Sequence, residues 1–516
     1  MKPQRPHYTY KLPPLGKQLD VIEETWHEPI WAVLGRPGTG KSKMCIDTAC
    51  MQFMAGMIEA MIIISPEGVH MQWVDEAFPT HAPDGVPWFG GYYSSRMGKT
   101  AMSKLEARMR SRDMGLRVLS LSFDGLQTPR GKSLASAVVD AYRCLVLVDE
   151  SHRVSNTKGA GYKAAMKIMR RGKTRRIATG TLFRQNPFSA YGQFELMGDD
   201  LLGFASLASF KSQYAEILPP KNPLVMKIAA DFKSKTGRDI APQVLATGPD
   251  NRPIYRNLPD LRRRLERWSS IISLADVAGK EPVILTSTRY VQLTEEQQRI
   301  YTDLEELGAV ELDRGLLTAE GTLSLSIRLS QVIGGFVPSD MDIEAQPIPG
   351  RNPKLEELMA LIDELGSEKL VVWCKYVPEL RAVHAAIERV YGQGSEVLYY
   401  GQVNSPDRKD AKLRFINDPN CRVFVGQQNA GGTGLDGMQG CANYMCFYSN
   451  VYSYLDREQA IARLARLNGA SVVNVVDLMV AGSIDEDIVR CIQSARDVTD
   501  AVLRRRLTRE GTPRPH

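Results

Sequence analysis

The sequence lacks the features that mark membrane, secreted and zinc-ribbon proteins. No stretch approaches the roughly 18 consecutive apolar residues that a membrane helix needs, and the first 25 residues contain no apolar signal core. Eight cysteines occur in 516 residues, but no two form a C-x-x-C pair, and several lie in apolar runs such as Cys144-Leu-Val-Leu-Val148. This spacing argues against zinc ribbons and disulfide frameworks. We therefore expect buried free thiols in a reducing, intracellular protein.

A large charge of one sign is also absent. Lys and Arg number 65 against 59 Asp and Glu, which gives a net charge of +6. This small excess permits binding of a polyanion but does not by itself indicate it. A composition of 43% hydrophobic and 24% charged residues is typical of globular proteins and argues against a disordered or fibrous one. The length suffices for two large domains.

Short apolar runs predict two α/β lobes. The first set covers residues 30–34, 61–65, 117–121, 144–148 and 176–179, and the second covers 369–374, 396–400, 422–425, 444–448 and 472–479. Runs that are apolar on both faces and separated by helix-like segments are typical of a parallel sheet covered by helices. The predicted lobes are residues 1–200 and 350–500, with helical insertions and a hinge at 201–349 and a disordered basic tail at 501–516.

The strongest local signal is the string Gly35-Arg-Pro-Gly-Thr-Gly-Lys41-Ser42, a complete G-x-x-x-x-G-K-S between a strand-like and a helix-like run. Its glycines allow successive backbone N–H groups to surround an anion, and the following helix presents its positive N-terminal end. Lys41 is expected to reach the β and γ phosphates, and Ser42 is expected to hold Mg²⁺. The predicted phosphate-binding residues are Gly35, Pro37, Gly38, Thr39, Gly40, Lys41 and Ser42.

Two acids follow the strand-like run at 144–148, in the string Asp149-Glu150-Ser151-His152. At the carboxyl end of a strand, Asp149 can hold hydrated Mg²⁺, and Glu150 can orient the attacking water and accept its proton. Because the phosphate loop precedes these acids in the same lobe, the two signals together predict a nucleoside triphosphatase.

Three motif-like strings, the first of which contains the two acids, follow the phosphate loop along the chain. Asp149-Glu-Ser-His-Arg-Val-Ser-Asn156 has the form D-E-x-H-R-x-x-N, Thr179-Gly-Thr181 is followed by Asn186, and Arg457-Glu-Gln459-Ala-Ile-Ala-Arg463-Leu-Ala-Arg466 contains Q-A-x-x-R-x-x-R. Over residues 10–490 this order resembles helicase superfamily 2 and, within it, the Swi/Snf-type translocases. Leu182 stands where that family has a proline. The phosphate loop reads R-P-G-T-G-K-S where the family's remodellers have D-E-M-G-L-G-K-T, and no chromatin-reading or zinc module is appended. The resemblance is therefore to a compact bacterial or viral member.

The resemblance implies roles for residues of the first lobe. Gln18 would contact the edge of the adenine base, and His152 would act with the two acids in catalysis. Thr179 and Thr181 would couple ATP hydrolysis to motion. Contacts to nucleic acid are expected from Ser65 and Ser122 in this lobe and from Gln427 in the second lobe.

In the second lobe, Gly434 and Asp436 belong to the string Gly431-Gly-Thr-Gly-Leu-Asp436, which resembles the family's A-G-G-x-G-I-N and implies nucleotide contacts. Gln459, Arg463 and Arg466 are spaced i, i+4 and i+7, which predicts that they share one helix face. The resemblance implies that the two arginines stabilise the γ phosphate when the lobes close, with Arg466 as the first choice of arginine finger.

The resemblance implies two tandem RecA-like lobes that use ATP and Mg²⁺, acting as a monomer in the cytoplasm of a bacterial cell or virus-infected host, without membrane contact. The expected activity is translocation on double-stranded DNA driven by lobe closure. Two alternatives stay open. One is a helicase that separates strands or migrates branches in DNA or RNA, and the other is a nucleotide-gated scaffold that binds nucleic acid and has weak ATPase activity.

Overall fold

The computed structural model describes residues 3–183, 186–249, 252–307, 309–312, 315–318, 322–337, 345–401, 405–428, 437–466 and 469–503. The chain divides into two compact units, one formed by Met1–Gly279 with Ser494–His516 and the other by Lys280–Gln493. Each unit contains a parallel sheet covered by helices, so the predicted α/β fold of two such lobes is confirmed. No described helix is long and apolar enough to cross a membrane.

The first unit is built on a seven-stranded parallel sheet. Its strands are β1 (Ile30–Gly35), β2 (Ala60–Ser65), β3 (Trp88–Tyr93), β4 (Leu116–Ser122), β5 (Cys144–Asp149), β6 (Thr174–Thr179) and β7 (Ser269–Ile272). Their order across the sheet is β3-β4-β2-β5-β6-β1-β7. All neighbouring strands are parallel. Every residue of β2 and β5 is buried, as expected for central strands with helices on both faces.

Helices and turns connect these strands. The helices are α1 (Lys17–Thr25), α2 (Lys41–Met54), α3 (Val69–Gln72), α4 (Phe78–His81), α5 (Lys99–Met109), α6 (Phe123–Gln127), α7 (Pro129–Ala141), α8 (Ala160–Met169), α9 (Ser189–Met197), α10 (Leu207–Tyr214), α11 (Pro223–Thr236), α12 (Leu258–Glu266) and α13 (Leu274–Ala278). A π-helical turn at Trp73–Ala77 links α3 to α4, and a 3₁₀ turn covers Ser151–Val154.

The strand order fixes the position of the phosphate loop. Because β6 lies between β1 and β5, the carboxyl ends of these three strands are adjacent at one edge of the sheet. Leu34 pairs with Thr179, and Asp149 pairs with Ala178, so the strands end in register. The loop after β1, the acids after β5 and the Thr179 segment after β6 are therefore neighbours.

The second unit contains a six-stranded parallel sheet and two small antiparallel pairs. Its strands are β8 (Val283–Val291), β9 (Ala309–Leu312), β10 (Gly315–Thr318), β11 (Phe336–Val337), β12 (Gln346–Pro347), β13 (Leu370–Cys374), β14 (Glu396–Tyr399), β15 (Val423–Gln427), β16 (Tyr444–Phe447) and β17 (Val472–Val480). The order in the large sheet is β14-β15-β13-β16-β17-β8. The helices are α14 (Glu295–Leu307), α15 (Thr322–Ile333), α16 (Pro353–Leu365), α17 (Val377–Tyr391), α18 (Ser405–Asn417), α19 (Tyr454–Ile461) and α20 (Ile484–Leu503).

Alternate residues of β13 enter two separate cores of this unit. Val371 and Trp373 pack on one face with the core that includes Phe424. Val372 and Cys374 pack on the other face. This alternation follows from the two-residue period of a strand, and it places a helix layer on each face of the sheet.

The segment 201–349 differs from its prediction as helical insertions and a hinge. It contributes β7 to the sheet of the first unit and β8 to the sheet of the second unit, and the division between the units falls between Gly279 and Lys280. Both strands were missed for physical reasons. Strand β7 has only four residues, and β8 is an edge strand whose exposed residues include the polar stretch Thr286-Ser-Thr288. Of the predicted tail, residues 504–516 lie outside the described residues.

Candidate active site

The phosphate loop joins β1 to the first residue of α2. Gly38 and Gly40 have φ values of +90° and +79°, in the left-handed region that favours glycine. A Cβ atom at Gly40 would lie 2.3 Å from Nε2 of Gln18, so no side chain fits there without displacing that amide. The loop therefore requires glycine at this position, as the motif predicted.

Lys41 is held over the loop. Its Nζ donates to the carbonyl oxygen of Gly35 at 2.8 Å and to that of Arg36 at 3.3 Å. Thr39 Oγ1 also donates to the Arg36 carbonyl, at 2.9 Å. Ser42 follows in the first turn of α2 and is half-buried. The loop thus presents an ammonium group beside a helix N-terminus, which is an arrangement suited to phosphate.

Gln18 contacts the phosphate loop directly. Its side chain is buried, its Nε2 donates to the carbonyl oxygen of Thr39 at 2.9 Å, and its Oε1 accepts from the Leu15 N–H at 2.9 Å. The Gln18 amide therefore connects the segment before α1 to the loop. Base recognition by Gln18 stays a prediction.

Asp149 ends β5 as a buried carboxylate with two neutral donors. Trp73 Nε1 donates to its Oδ2 at 3.0 Å, and the backbone N–H of Glu150 donates to its Oδ1 at 2.9 Å. Burial raises the pKa of Asp149 to about 7, and the charge of Glu150 adds to the rise, while Lys41 and the Trp73 hydrogen bond oppose it. Trp73 was not predicted as a site residue. The sequence signal for it was its place in the string that follows Ser65, Pro-Glu-Gly-Val-His-Met-Gln-Trp73.

Glu150 adopts a left-handed backbone conformation, with φ of +49°, that is uncommon for a residue other than glycine. Its Oε2 lies 3.2 Å from Nδ1 of the buried His152 and 3.5 Å from the Gly180 N–H. Burial alone would raise the pKa of Glu150, but the hydrogen bond and charge of His152, the charge of Lys41 and the Gly180 N–H outweigh it and lower that pKa to about 2. Glu150 is therefore an ionised carboxylate at neutral pH.

His152 connects the acids to the end of β6. Its Nδ1 lies 2.9 Å from Thr179 Oγ1, which also accepts the Thr181 N–H at 3.1 Å. A Cβ atom on Gly180 would lie 3.1 Å from Cδ of Pro37 in the phosphate loop. The three predicted segments of the first unit are thus one contiguous cluster.

Gln193 on α9 supports this cluster and was missed by sequence reasoning. Its Oε1 accepts from Ser151 Oγ at 2.7 Å, and its Nε2 donates to the Leu182 carbonyl at 2.7 Å. The side chain is fully buried. A single glutamine in the apolar helix Ser189–Met197 gives no pattern that could have identified it.

The predicted helix face of Gln459, Arg463 and Arg466 is wrong. Helix α19 ends at Ile461, so both arginines lie in the turns that follow it, where Arg466 Nε donates to the Ala462 carbonyl at 3.1 Å. The helix ends because the chain reverses toward β17. The Gly469 N–H donates to the Arg466 carbonyl, and a Cβ atom on Gly469 would lie 2.8 Å from the Leu464 carbonyl oxygen.

Arg457, which opens this string, is instead a buried anchor. Its two Nη atoms donate to the two carboxylate oxygens of Asp477 at 2.6 and 2.8 Å, and Nη1 also donates to Asn450 Oδ1 at 2.7 Å. This bidentate pair fixes α19 to β17. The roles of Gln459, Arg463 and Arg466 toward the γ phosphate stay predictions.

The remaining predicted site residues are the expected contacts to nucleic acid and the nucleotide contacts of the second lobe. Ser65 and Ser122 are buried, and Ser122 Oγ accepts the Gly125 N–H at 3.0 Å as the N-cap of α6. Their contact with nucleic acid stays a prediction. Gln427 is half-buried at the end of β15, and its Nε2 donates to the Lys375 carbonyl at 3.1 Å. Gly434 and Asp436 lie outside the described residues.

No family model matches the chain. It is 21% identical over 362 residues to a Bacillus subtilis protein described as ATP-dependent helicase/translocase YwqA, a match that covers 69% of this chain and 35% of that protein. It is 22% identical over 505 residues to the DNA repair and recombination protein RAD54-like of Drosophila ananassae, with 88% of this chain and 57% of that protein covered.

Among solved structures, the chain resembles the Sulfolobus solfataricus SWI2/SNF2 ATPase core in complex with double-stranded DNA. The sequence identity is 16%, the TM-score is 0.38, and 98% of this chain and 95% of that chain are covered. The chain spans less than two thirds of the length of both curated relatives.

Proposed function

We propose that this chain, a Swi/Snf-type member of helicase superfamily 2, is an ATP-driven motor that translocates on double-stranded DNA. The observation that carries the proposal is the contiguous cluster in the first unit. Lys41 lies on the phosphate loop, Glu150 is an ionised carboxylate at the adjacent strand end, and His152 connects it to Thr179. A protein that only bound nucleotide would not need the acid or its link to the next strand.

ATP and Mg²⁺ fit the residues present. The phosphates would lie on the N–H groups of the loop and the ammonium of Lys41, where the glycine backbone leaves no room for side chains. Ser42 and Asp149 would hold Mg²⁺, and the buried Asp149 carboxylate, whose hydrogen-bond donors are neutral, gains from a nearby cation. When bound, Mg²⁺ would neutralise the charge that develops on the phosphate oxygens.

Glu150 would orient the attacking water and accept its proton, which requires an ionised carboxylate. His152 holds this carboxylate from one side, and the Gly180 N–H approaches it from another. Because Thr179 Oγ1 lies beside the same imidazole, movement of the Thr179 segment would shift Glu150 relative to the phosphates. This link is the basis for our proposal that Thr179 and Thr181 couple hydrolysis to motion.

The second unit would contribute Arg463 and Arg466 to the γ phosphate when the lobes close. Charge on the transferred phosphoryl group is spread over its oxygens, so a guanidinium that arrives only in the closed state lowers the barrier only there. Each cycle of closing and opening would then be tied to one hydrolysis event, which is how a two-lobed ATPase converts chemistry into steps.

DNA is the preferred track because one relative carries a name for DNA repair and recombination, and we take its duplex form because the order of the motifs resembles that of Swi/Snf-type translocases. A strand-separating helicase would use the same phosphate chemistry and is the second candidate. The proposal concerns this chain alone, since the relatives are longer proteins.

The test is steady-state ATP hydrolysis with no nucleic acid, single-stranded DNA, duplex DNA or RNA. We expect the strongest stimulation by duplex DNA, and a loss of about 10²- to 10⁴-fold in Glu150→Gln. The control is Glu24→Gln, which changes an exposed glutamate of α1 in the same unit and should leave hydrolysis unchanged.

Translocation and strand separation are then compared directly. Displacement of a third strand from a DNA triplex, without unwinding of a forked duplex, is the result expected of a translocase. Unwinding of the fork or preference for single strands or RNA would favour the helicase. Hydrolysis that is insensitive to Glu150→Gln under every condition would refute the motor.

A further inference from the structure

Three side chains with metal-binding atoms meet in the second unit, away from the segments described above. His384 and Glu388 lie one turn apart on α17, and Glu396 is the first residue of the edge strand β14. Each offers one ligand atom, and these atoms all lie within 4.8 Å of one another. No other such group of three occurs among the residues that the structure describes.

The geometry within this group, which we call the α17–β14 cluster, leaves one buried oxygen unsatisfied. Glu396 Oε1 lies 2.6 Å from His384 Nδ1, and Glu388 Oε2 lies 3.5 Å from His384 Nε2. The Glu396 residue is only 5% exposed. Its Oε2 has no hydrogen-bond partner within the described part of the chain. A buried carboxylate oxygen without a donor is uncommon in folded proteins and points to a missing ligand.

The charges in the cluster also favour an additional cation. Burial raises the pKa of Glu396, the hydrogen bond and charge of His384 lower it, and the charge of Glu388 raises it again. Arg414 contributes a weaker opposing effect. By geometry, the two carboxylates lie beside the same imidazole, and a cation placed among the three would satisfy both acids and the buried oxygen.

We propose that His384, Glu388 and Glu396 bind a divalent transition-metal ion of the Zn²⁺ class, with water completing its coordination. One imidazole nitrogen and two carboxylate oxygens form a donor set that suits zinc. Ligand atoms that bind zinc lie about 2.0–2.2 Å from it, so small side-chain movements would suffice from the present separations. Mg²⁺ prefers six oxygen ligands and is less suited to the histidine.

The position of the cluster assigns the ion a structural role. Glu396 lies at the amino end of β14, whereas Gln427 ends β15 at the opposite, carboxyl edge of the same parallel sheet. The metal would connect α17 to the outermost strand of the sheet and hold that strand in place. This inference is independent of the proposed function, because it requires neither ATP nor nucleic acid.

The test is zinc binding by the full chain freed of any affinity tag, measured by calorimetric titration and by thermal unfolding with Mg²⁺ in excess. Of the eight cysteines, all of which the structure describes, Cys491 alone is exposed, so Cys491→Ser serves as the background and removes a competing thiol. We expect a single equivalent of tightly bound Zn²⁺ and a higher unfolding temperature. Glu396→Gln and His384→Gln should lower the affinity by more than the roughly 10- to 100-fold that loss of an outer partner costs.

Glu388→Gln keeps the test decisive if the other two variants fail to fold. Glu388 is about one-third exposed, so its replacement should preserve the circular dichroism spectrum while weakening zinc binding. The matched control is His27→Gln, because His27 also lies near one carboxylate, Glu28 at 3.3 Å, but belongs to no group of three ligand residues in the described part of the chain. This variant should bind zinc like the background protein.

Cobalt substitution provides a second readout. Bound Co²⁺ should show visible absorption without sulfur-to-metal charge transfer, since the proposed ligands are nitrogen and oxygen. Absence of tight zinc binding, or equal binding in the background protein and all three cluster variants, would overturn the proposal. A sulfur-to-cobalt band would place the metal on cysteines and overturn it as well.

Discussion

Replacement of Lys43 by methionine should strongly destabilise the first unit. Lys43 Nζ lies 2.7 Å from Oδ2 of Asp47 inside α2, and the two side chains are 6% and 0% exposed. The second acceptor, Asp47 Oδ1, receives the hydroxyl of Tyr8 at 2.7 Å. Removing one partner of a buried pair leaves an uncompensated charge, which costs about 3–5 kcal/mol. We expect the unfolding midpoint of this unit to fall by about 6–20 °C.

The same variant should have a characteristic pH dependence. Burial raises the pKa of Asp47, and the Lys43 and Tyr8 contacts oppose this rise. Without Lys43 the folded-state pKa rises further above the unfolded value, so the folded state gains stability when Asp47 takes up a proton. The stability deficit of Lys43→Met relative to the native protein should therefore shrink as pH falls from neutrality.

The assay is thermal or urea unfolding followed by circular dichroism at several pH values. The control is the double variant Lys43→Met with Asp47→Asn, which removes both charges, keeps an acceptor for the Tyr8 hydroxyl and should recover much of the loss. A deficit below about 1 kcal/mol at neutral pH, or one equally large in the double variant, would show that the buried pair does not account for the stability.

Two further predictions concern the candidate active site. Trp73→Phe removes the indole N–H that lies 3.0 Å from Asp149. The Mg²⁺ concentration for half-maximal ATP hydrolysis should therefore rise by about 10- to 100-fold. An unchanged Mg²⁺ dependence would contradict the supporting role of Trp73. Thr179→Val removes the hydroxyl that lies 2.9 Å from His152. Stimulation of kcat by nucleic acid should therefore fall, while equilibrium binding of ATP, measured by fluorescence of a labelled analogue, should be unchanged. Equal losses in stimulation and in ATP binding would instead indicate damage to the phosphate loop.

The positions of the phosphate loop and its acids, whose roles stay predictions, could be identified from the sequence because the residues of each are contiguous in the chain. Lys41 and Glu150 could be assigned from spacing and from the strand-like runs before them. Residues that act through long-range packing gave no such signal. Gln193 is a single glutamine in a mostly apolar helix, and its hydrogen bonds to Ser151 and Leu182 exist only after α9 packs beside the turn at Ser151.

Periodicity failed where tertiary structure overrides local pattern. The spacing of Gln459, Arg463 and Arg466 fits a helix, but the chain reverses near Gly469 and ends α19 earlier. The hydroxyl of Ser122 caps α6, a role that the sequence did not indicate. Such outcomes depend on neighbours that are distant in the chain.

The pairing of β7 with β1 delays completion of the sheet of the first unit during synthesis. The strand that carries the phosphate loop pairs with β6 on one side and with residues 269–272 on the other, and a Cβ atom on Gly35 would lie 3.1 Å from the carbonyl oxygen of Ile272. During synthesis, that side of β1 stays open until almost 240 further residues have been added. A fragment that ends at residue 200 would keep this apolar edge exposed, so we expect it to aggregate where a fragment that includes β7 stays dissolved.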